Sequence, residues 1–187
     1  TIELMAQSGC RYISISPESG SQRVMKLINK PFNYQHAVDL IGKMSKVNIF
    51  TQACFVLGFP GEKDEDRKLT RKMVYDLAKA GVSEIALFII TPVPGSSILK
   101  EFSGYTDYSQ LNFSPTWRKD YDELNKFRLK LYAEFLFWKL CFHPISILKQ
   151  PFNFFIRKFN TKMEMTPYRA MHTILMLIGL VGKRIKF

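Results

Sequence analysis

The sequence predicts an α/β fold of parallel βα units, followed by an all-helical, basic tail. Three apolar β-type segments, RYISIS (11–16), FTQACFVLGF (50–59) and EIALFII (84–90), alternate with helix-like stretches over the first half. Each of them runs into a turn containing proline and glycine: SPESGS, GFPGEK and TPVPGSS. The composition, 47% hydrophobic and 23% charged over 187 residues, is that of a globular chain with one sizeable core.

The opening TIELMAQSG reads as the last turns of a helix closed by Gly9. A start at Thr1 rather than Met leads to the expectation that the chain is a fragment with an N-terminal part missing. After the first strand, YQHAVDLIGKMSKV (34–47) carries helical spacing. So does DEDRKLTRKMVYDLAKAG (64–81), with Leu69, Met73, Leu77 and Ala80 on its apolar side. Near-continuous apolar strands imply burial on both faces of a parallel sheet, as in a barrel or doubly wound fold. In Phe59-Pro60-Gly61-Glu62 and Val93-Pro94-Gly95-Ser96, proline and glycine take the central positions of a type II turn. All three turns then lie at strand C-terminal ends, the edge where parallel α/β folds bind ligands.

From Arg118 the pattern changes. RKDYDELNKFRLKLYAEFLFWKL reads as a long helix with Leu124, Phe127, Leu131, Phe135 and Trp138 on one stripe, and Pro144, Pro151 and Pro167 punctuate shorter helical pieces. The formal charge of +11 is concentrated here: Lys and Arg exceed Asp and Glu by 13 to 11 through Trp117, but by 14 to 5 beyond it. The expected division is therefore 1–104 for the α/β part and 105–187 for a helical extension. The run ILMLIGLVG (174–182) is well short of the roughly 20 residues a spanning helix needs. Cys10, Cys54 and Cys141 are few and far apart, which suits small core residues in a reducing compartment and gives no CxxC-type metal spacing.

SPESGS poses the chemical question. Helix capping by an S-x-x-Q box accounts for Ser19, Gly20 and Gln22 but leaves Glu18 without a structural task. A carboxylate at a strand end can accept two hydrogen bonds from a vicinal diol, as the sugar hydroxyls of nucleotide cofactors require. Lys30 follows the next short helix; it reads either as a cation over the same mouth or as a solvated lysine. Gly58, Pro60 and Gly61 would offer a backbone wall to a flat ring, with Phe55 or Leu57 beneath. For Glu62, a favourable charge at a helix N-terminus is the stronger reading.

GCRYISISPESGSQRVMKLINKPF, FTQACFVLGFPGEKDEDRKLT and EIALFIITPVPGSSI, in this order and about 35 to 40 residues apart, resemble the second half of a radical S-adenosylmethionine (SAM) core domain. The branch they resemble contains the anaerobic magnesium-protoporphyrin IX monomethyl ester cyclase and its cobalamin-dependent relatives. The resemblance covers 1–101 and implies strands four to six of a partial (βα)6 TIM-type barrel. It implies a 4Fe-4S cluster that cleaves SAM to a 5′-deoxyadenosyl radical or supports methyl transfer, an electron donor such as flavodoxin or ferredoxin, a small-molecule substrate and, in this branch, cobalamin. By position, Glu18 would contact the ribose hydroxyls, Lys30 the methionyl carboxylate and the strand ending at Gly58 the adenine, with Ser19, Gly20, Pro60 and Gly61 completing the cofactor-binding set. The family's CxxxCxxC motif is not formed by Cys10, Cys54 and Cys141, so the cluster ligands are expected outside this chain.

The segment FLFWKLCFHPISILKQPFNFFIRKF (135–159) interleaves aromatics with cations, and the chain closes with GKRIKF. It reads as a packed helical cap, as a peripheral membrane contact for an enzyme acting on a hydrophobic substrate, or, third, as an RNA-binding face. The tRNA methylthiotransferases of the same superfamily typically carry Gln where this chain has Glu18, and a β-barrel rather than helices after the core. His143 and His172 read as lone structural histidines. The expected protein is part of a cytoplasmic, oxygen-sensitive enzyme with a basic helical tail, for which peripheral membrane contact is one of these readings. The alternatives are a tRNA methylthiotransferase-like enzyme and a non-catalytic α/β binding module.

Overall fold

The computed structural model describes residues 1–177. Three strands, β1 (Tyr12–Glu18), β2 (Phe50–Leu57) and β3 (Glu84–Ile89), form one open parallel sheet in the order β1-β2-β3. Helix α1 (Ile2–Gln7) precedes it and ends before Gly9 at φ 89°. Helices α2 (Gln22–Leu27) and α3 (Tyr34–Lys46) link β1 to β2, and α4 (Asp64–Ala80) links β2 to β3. Helices α5 (Tyr121–Phe142), α6 (Pro144–Ile156) and α7 (Lys162–Leu177) follow. The alternation of strand and helix, the parallel pairing and the helical nature of the tail through Leu177 agree with the sequence reading; three strands alone do not define a barrel. GKRIKF and the end of ILMLIGLVG lie outside the described residues.

Local chemistry sets the element ends. The Asn33 side chain accepts from the His36 N–H at 2.9 Å to cap α3, and Asp64, Glu65 and Asp66 place negative charge in the first turn of α4. Strand β1 runs further than expected, through Pro17 to Glu18. Its register slips between Ile15, opposite Ala53, and Glu18, opposite Phe55. That bulge on an edge strand is where a residue without an N–H fits a sheet.

One face of the sheet makes the core. Ala53, Phe55 and Leu57 pair with Ile85, Leu87 and Ile89, and all six are buried. Onto them pack Ile41 and Met44 of α3, Met73, Val74 and Leu77 of α4, and Leu131 and Phe135 of α5. Each such side chain contributes about 1.5–3 kcal/mol by leaving water. Tyr132 of α5 also accepts the Leu87 N–H through its hydroxyl at 2.9 Å, on the outer edge of β3. The expectation of burial on both faces is not met. Ser14 and Phe88 are exposed and Cys54 partly so, because the core helices cover only the opposite face.

That second face is polar at the N-terminal ends of the strands. Glu84, fully buried, accepts from the Tyr12 hydroxyl and from Gln52 Nε2 at 3.0 Å, and its other oxygen accepts the Met163 N–H of α7 at 2.6 Å. The Ser14 hydroxyl donates to Gln52 Oε1 at 3.2 Å, so the chain of contacts crosses all three strands.

Two further readings are corrected. On α4, Leu69 is 46% exposed, while Asp66 and Thr70 are buried: the inner face is turned toward the SPESGS turn and holds polar groups for it. Pro151 and Pro167 lie inside α6 and α7 rather than ending them; α6 closes instead at Arg157, in the left-handed region at φ 56°. Pro144 does open α6, and His143 Nε2 lies 3.2 Å from the carbonyl of Lys79 in the last turn of α4.

The turn after β1 meets α4 at Gly20. A Cβ there would stand 2.7 Å from the Leu69 carbonyl carbon and 2.8 Å from Thr70 Cα, both backbone atoms with no room to yield. Gly20→Ala is therefore expected to cost about 1–3 kcal/mol of stability, read as a lower urea midpoint. An unchanged midpoint would mean that this packing is not required.

Candidate ligand site at the strand ends

Glu18 sits at the tip of β1 in an unusual backbone state. Its φ is 62°, rare for a residue with a side chain, and the Ser19 N–H bonds back to the Pro17 carbonyl at 2.7 Å, closing a γ-turn around it. Such a conformation persists only where the surroundings impose it. The imposing contacts come from the next three residues. Ser19 is buried, with its Oγ 3.2 Å from Thr70 Oγ1 and accepting the Ser21 N–H. The Gly20 N–H donates to Thr70 Oγ1 at 3.0 Å, and the Ser21 hydroxyl donates to Asp66 at 2.5 Å.

Ser21, not Ser19, is the N-cap of α2, and Gln22 donates to the Phe32 carbonyl instead of closing a capping box. The reason is that Ser19 is already committed to α4. Asp66 also accepts from Arg23 and from the Lys63 N–H. Burial raises the pKa of this carboxyl, but the bonds from Arg23, Ser21 and Lys63 outweigh it and hold the group at about 2.

Lys30 reaches Glu18 directly. Its ammonium donates to Glu18 Oε1 at 2.7 Å and to the Ser16 carbonyl at 2.9 Å, so it holds the carboxylate rather than projecting free over the mouth. The pair is partly open to solvent, with side chains 22% and 41% exposed. Glu18 and Lys30 thus form one unit, and Ser19 and Gly20 position it from beneath.

The second and third strand ends come together across a cleft of about 790 Å³. Leu27, Ile28 and Asn29 line one side; Phe59, Pro60 and Gly61 line another; and Ser97, Ile98 and Glu101, beyond β3, complete it. Both expected type II turns are present. The Glu62 N–H bonds to the Phe59 carbonyl with Gly61 at φ 76°, and the Ser96 N–H bonds to the Val93 carbonyl with Gly95 at φ 86°. Gly58 does not face this cleft as an open wall. A Cβ on it would stand 2.6 Å from Leu124 Cδ1 and 2.7 Å from Arg118 Nη2, and Leu57 beneath it packs with Ile89 and Leu124.

Arg118 and Glu62 are the residues that sequence reasoning undervalued. The buried Arg118 guanidinium donates to the Gly58 and Ile90 carbonyls, each at 3.0 Å, and pairs with Asp120, tying the ends of β2 and β3 together. The strand ends it ties are reached through carbonyls 60 and 28 residues earlier, and the neighbouring Asp120 in the sequence does not point to them. Glu62 turns inward: Oε2 accepts the Gly58 N–H at 2.6 Å, while Oε1 is buried without a partner among the described residues. Burial raises its pKa to about 7 against the pull of the Gly58 N–H, Arg67 and Arg118. Its place just after a Pro-Gly turn is the available signal; a favourable charge at a helix N-terminus does not anticipate its burial.

Cys10 precedes β1, Cys54 lies on β2 and Cys141 on α5, and no three His, Cys, Asp or Glu side chains form a metal-ligand group among the described residues. The donor set of this chain does not fit a 4Fe-4S cluster, which needs converging thiolates. Glu18, partly exposed and paired with Lys30 through Oε1, has a carboxylate oxygen left over as an acceptor.

Parallel βα units with turns gathered at the strand C-terminal ends define the α/β class of protein whose ligands bind at that edge. Residues 1–74 match the family model of the radical SAM superfamily, and this part of the chain is similar to that superfamily. The family implies SAM and a 4Fe-4S cluster. The chain is 31% identical over 128 residues to a cytidylyl-2-hydroxyethylphosphonate methyltransferase of Streptomyces wedmorensis, covering 63% of this chain and 23% of that protein. It is 31% identical over 105 residues to a tRNA-2-methylthio-N(6)-dimethylallyladenosine synthase of Thermus thermophilus, covering 54% and 22%. An uncharacterized methyltransferase of Pyrococcus horikoshii is 27% identical over 115 residues, covering 62% and 24%. The chain thus spans about a quarter of the length of these relatives.

Glu62 makes stability depend on pH in a defined direction. Its folded-state pKa of about 7 lies above the ordinary 4.5, so the folded chain binds this proton more tightly than the unfolded chain. Stability from this group is greatest below about 4.5 and falls as pH rises through about 7. Glu62→Gln is expected to remove that decline, read by urea unfolding at about pH 5 and about pH 8. An identical pH dependence in both proteins would take Glu62 out of the account.

Proposed function

We propose that the chain forms part of a radical SAM enzyme that transfers a methyl group to a small-molecule substrate, and that Glu18 holds the ribose hydroxyls of SAM. The observation carrying this reading is the Glu18–Lys30 unit on a γ-turn at a strand end, within the superfamily-matched residues. Two of the relatives are named as methyltransferases, which supports the choice of reaction. In this reading Lys30 neutralises and orients the carboxylate, leaving its remaining acceptor capacity for a diol. The turns after β2 and β3 supply backbone groups and shape around the rest of the nucleoside, and exclude water from it.

The 4Fe-4S cluster that the family implies would supply electron transfer, and in this reading it would be held by thiolates outside this chain. The reading includes a partial (βα)6 barrel with its core ending near 104 and an extension from 105 that is helical in α5 to α7. It also includes the cobalamin-using branch, an electron donor such as flavodoxin or ferredoxin, and a cytoplasmic, oxygen-poor setting. A second reading, tRNA modification, rests on the relative named as a tRNA synthase. The helices α5 to α7 that follow the sheet favour the first, since the RNA-modifying branch is expected to carry a β-barrel there.

Glu18→Gln in the complete enzyme is expected to weaken SAM binding about tenfold, the loss of one charge-assisted hydrogen bond, with iron content unchanged. Equilibrium binding measures it. Equal affinity in the two proteins would remove Glu18 from the site.

A further inference from the structure

The tail presents an apolar stripe to solvent. On α6, Ile145, Leu148, Phe152 and Phe155 recur at helical spacing and are 66%, 70%, 65% and 81% exposed. At the end of α5, Leu136, Phe137 and Leu140 are exposed as well. Leu140, Cys141, Pro144 and Ile145 carry this surface through the 109° bend between the two helices. Single exposed hydrophobics are ordinary; a continuous stripe of large ones marks a surface that something covers.

The charges indicate what covers it. Helix α6 contains no acidic residue, and Lys149, Arg157 and Lys158, on it or at its end, are exposed. Pairing this face with a second copy of itself would bring like charges together. A nucleic acid would engage the cations but leave the Phe and Leu stripe in water. A bilayer with anionic headgroups satisfies both features at once. Among the described residues no single helix is long and apolar enough to cross a membrane. The 13 residues of α6 reach only about 20 Å, against a hydrocarbon thickness of about 30 Å.

We propose that α6 and the adjoining end of α5 lie flat in the headgroup region of an anionic membrane. Ile145, Leu148, Phe152 and Phe155 enter the acyl boundary, and Lys149, Arg157 and Lys158 meet lipid phosphate. This docking does not depend on the enzymatic reading.

Flotation of the full chain with vesicles of phosphatidylcholine alone, or of phosphatidylcholine with phosphatidylglycerol, tests it. The chain is expected to float with the anionic vesicles and to be released by salt. Phe152→Ser with Phe155→Ser should lower partitioning at least about tenfold, and Arg157→Gln with Lys158→Gln several-fold and only on anionic vesicles. On the unsubstituted chain, hydrogen exchange over 144–156 should slow when vesicles are added, a readout that needs no variant to fold. Absence of flotation, undiminished partitioning of the Phe variant, displacement from vesicles by equimolar tRNA, or a dimer that dissociates on Phe152→Ser would each overturn the proposal.

Discussion

The contact between the turn after β1 and the second turn of α4 is the constraint on which the rest depends. Because residue 20 lacks a side chain, the turn lies against the backbone of Leu69 and Thr70, close enough for two of its polar groups to reach Thr70. Asp66, one helical turn earlier, gathers Ser21, Arg23 and its own helix's first N–H. A strand tip and a helix start distant in sequence become one hydrogen-bonded block. The left-handed backbone of Glu18 is an outcome of that block, and the direction of its carboxylate follows from it. Buried polar groups are costly when orphaned and rigid when fully paired, and here each has its partner.

The second strand end is held by a different device. Gly58 is gripped at its N–H by Glu62 and at its carbonyl by Arg118, and the same guanidinium reaches the end of β3. A side chain from the start of the helical extension therefore closes the edge of the α/β part, and Leu124 fills the space above Leu57. The extension is part of what shapes the strand-end surface.

The legible part of this architecture was the part governed by periodicity and turn chemistry. Strand and helix existence, the type II turns at Pro60-Gly61 and Pro94-Gly95, and the stripe of α5 all follow from residue type at short spacing. What was misread turns on partners far away in sequence. Leu69 looks like a core position until Gly20 draws Thr70 inward. Ser19 looks like a cap until Thr70 claims it. Pro17 looks like a strand terminator, yet a bulge on an edge strand accommodates it. Glu62 and Arg118 act through backbone atoms, which have no sequence signature at all. Of the candidate site, the gathering of the proline-glycine turns at the strand ends was visible. The pairing of Glu18 with Lys30 was not, since it requires the path of the chain around α2.

The polar face of the sheet has a consequence for how this chain can vary. Tyr12, Gln52, Glu84 and Ser14 satisfy one another across three strands, and the N–H of Met163 joins from α7. Removing Glu84 leaves the Tyr12 hydroxyl, Gln52 Nε2 and the Met163 N–H without this acceptor, so substitutions within the network are not expected to sum. The two faces of the same sheet thus answer substitution differently: the core face by volume, residue by residue, and the network by the loss of shared partners.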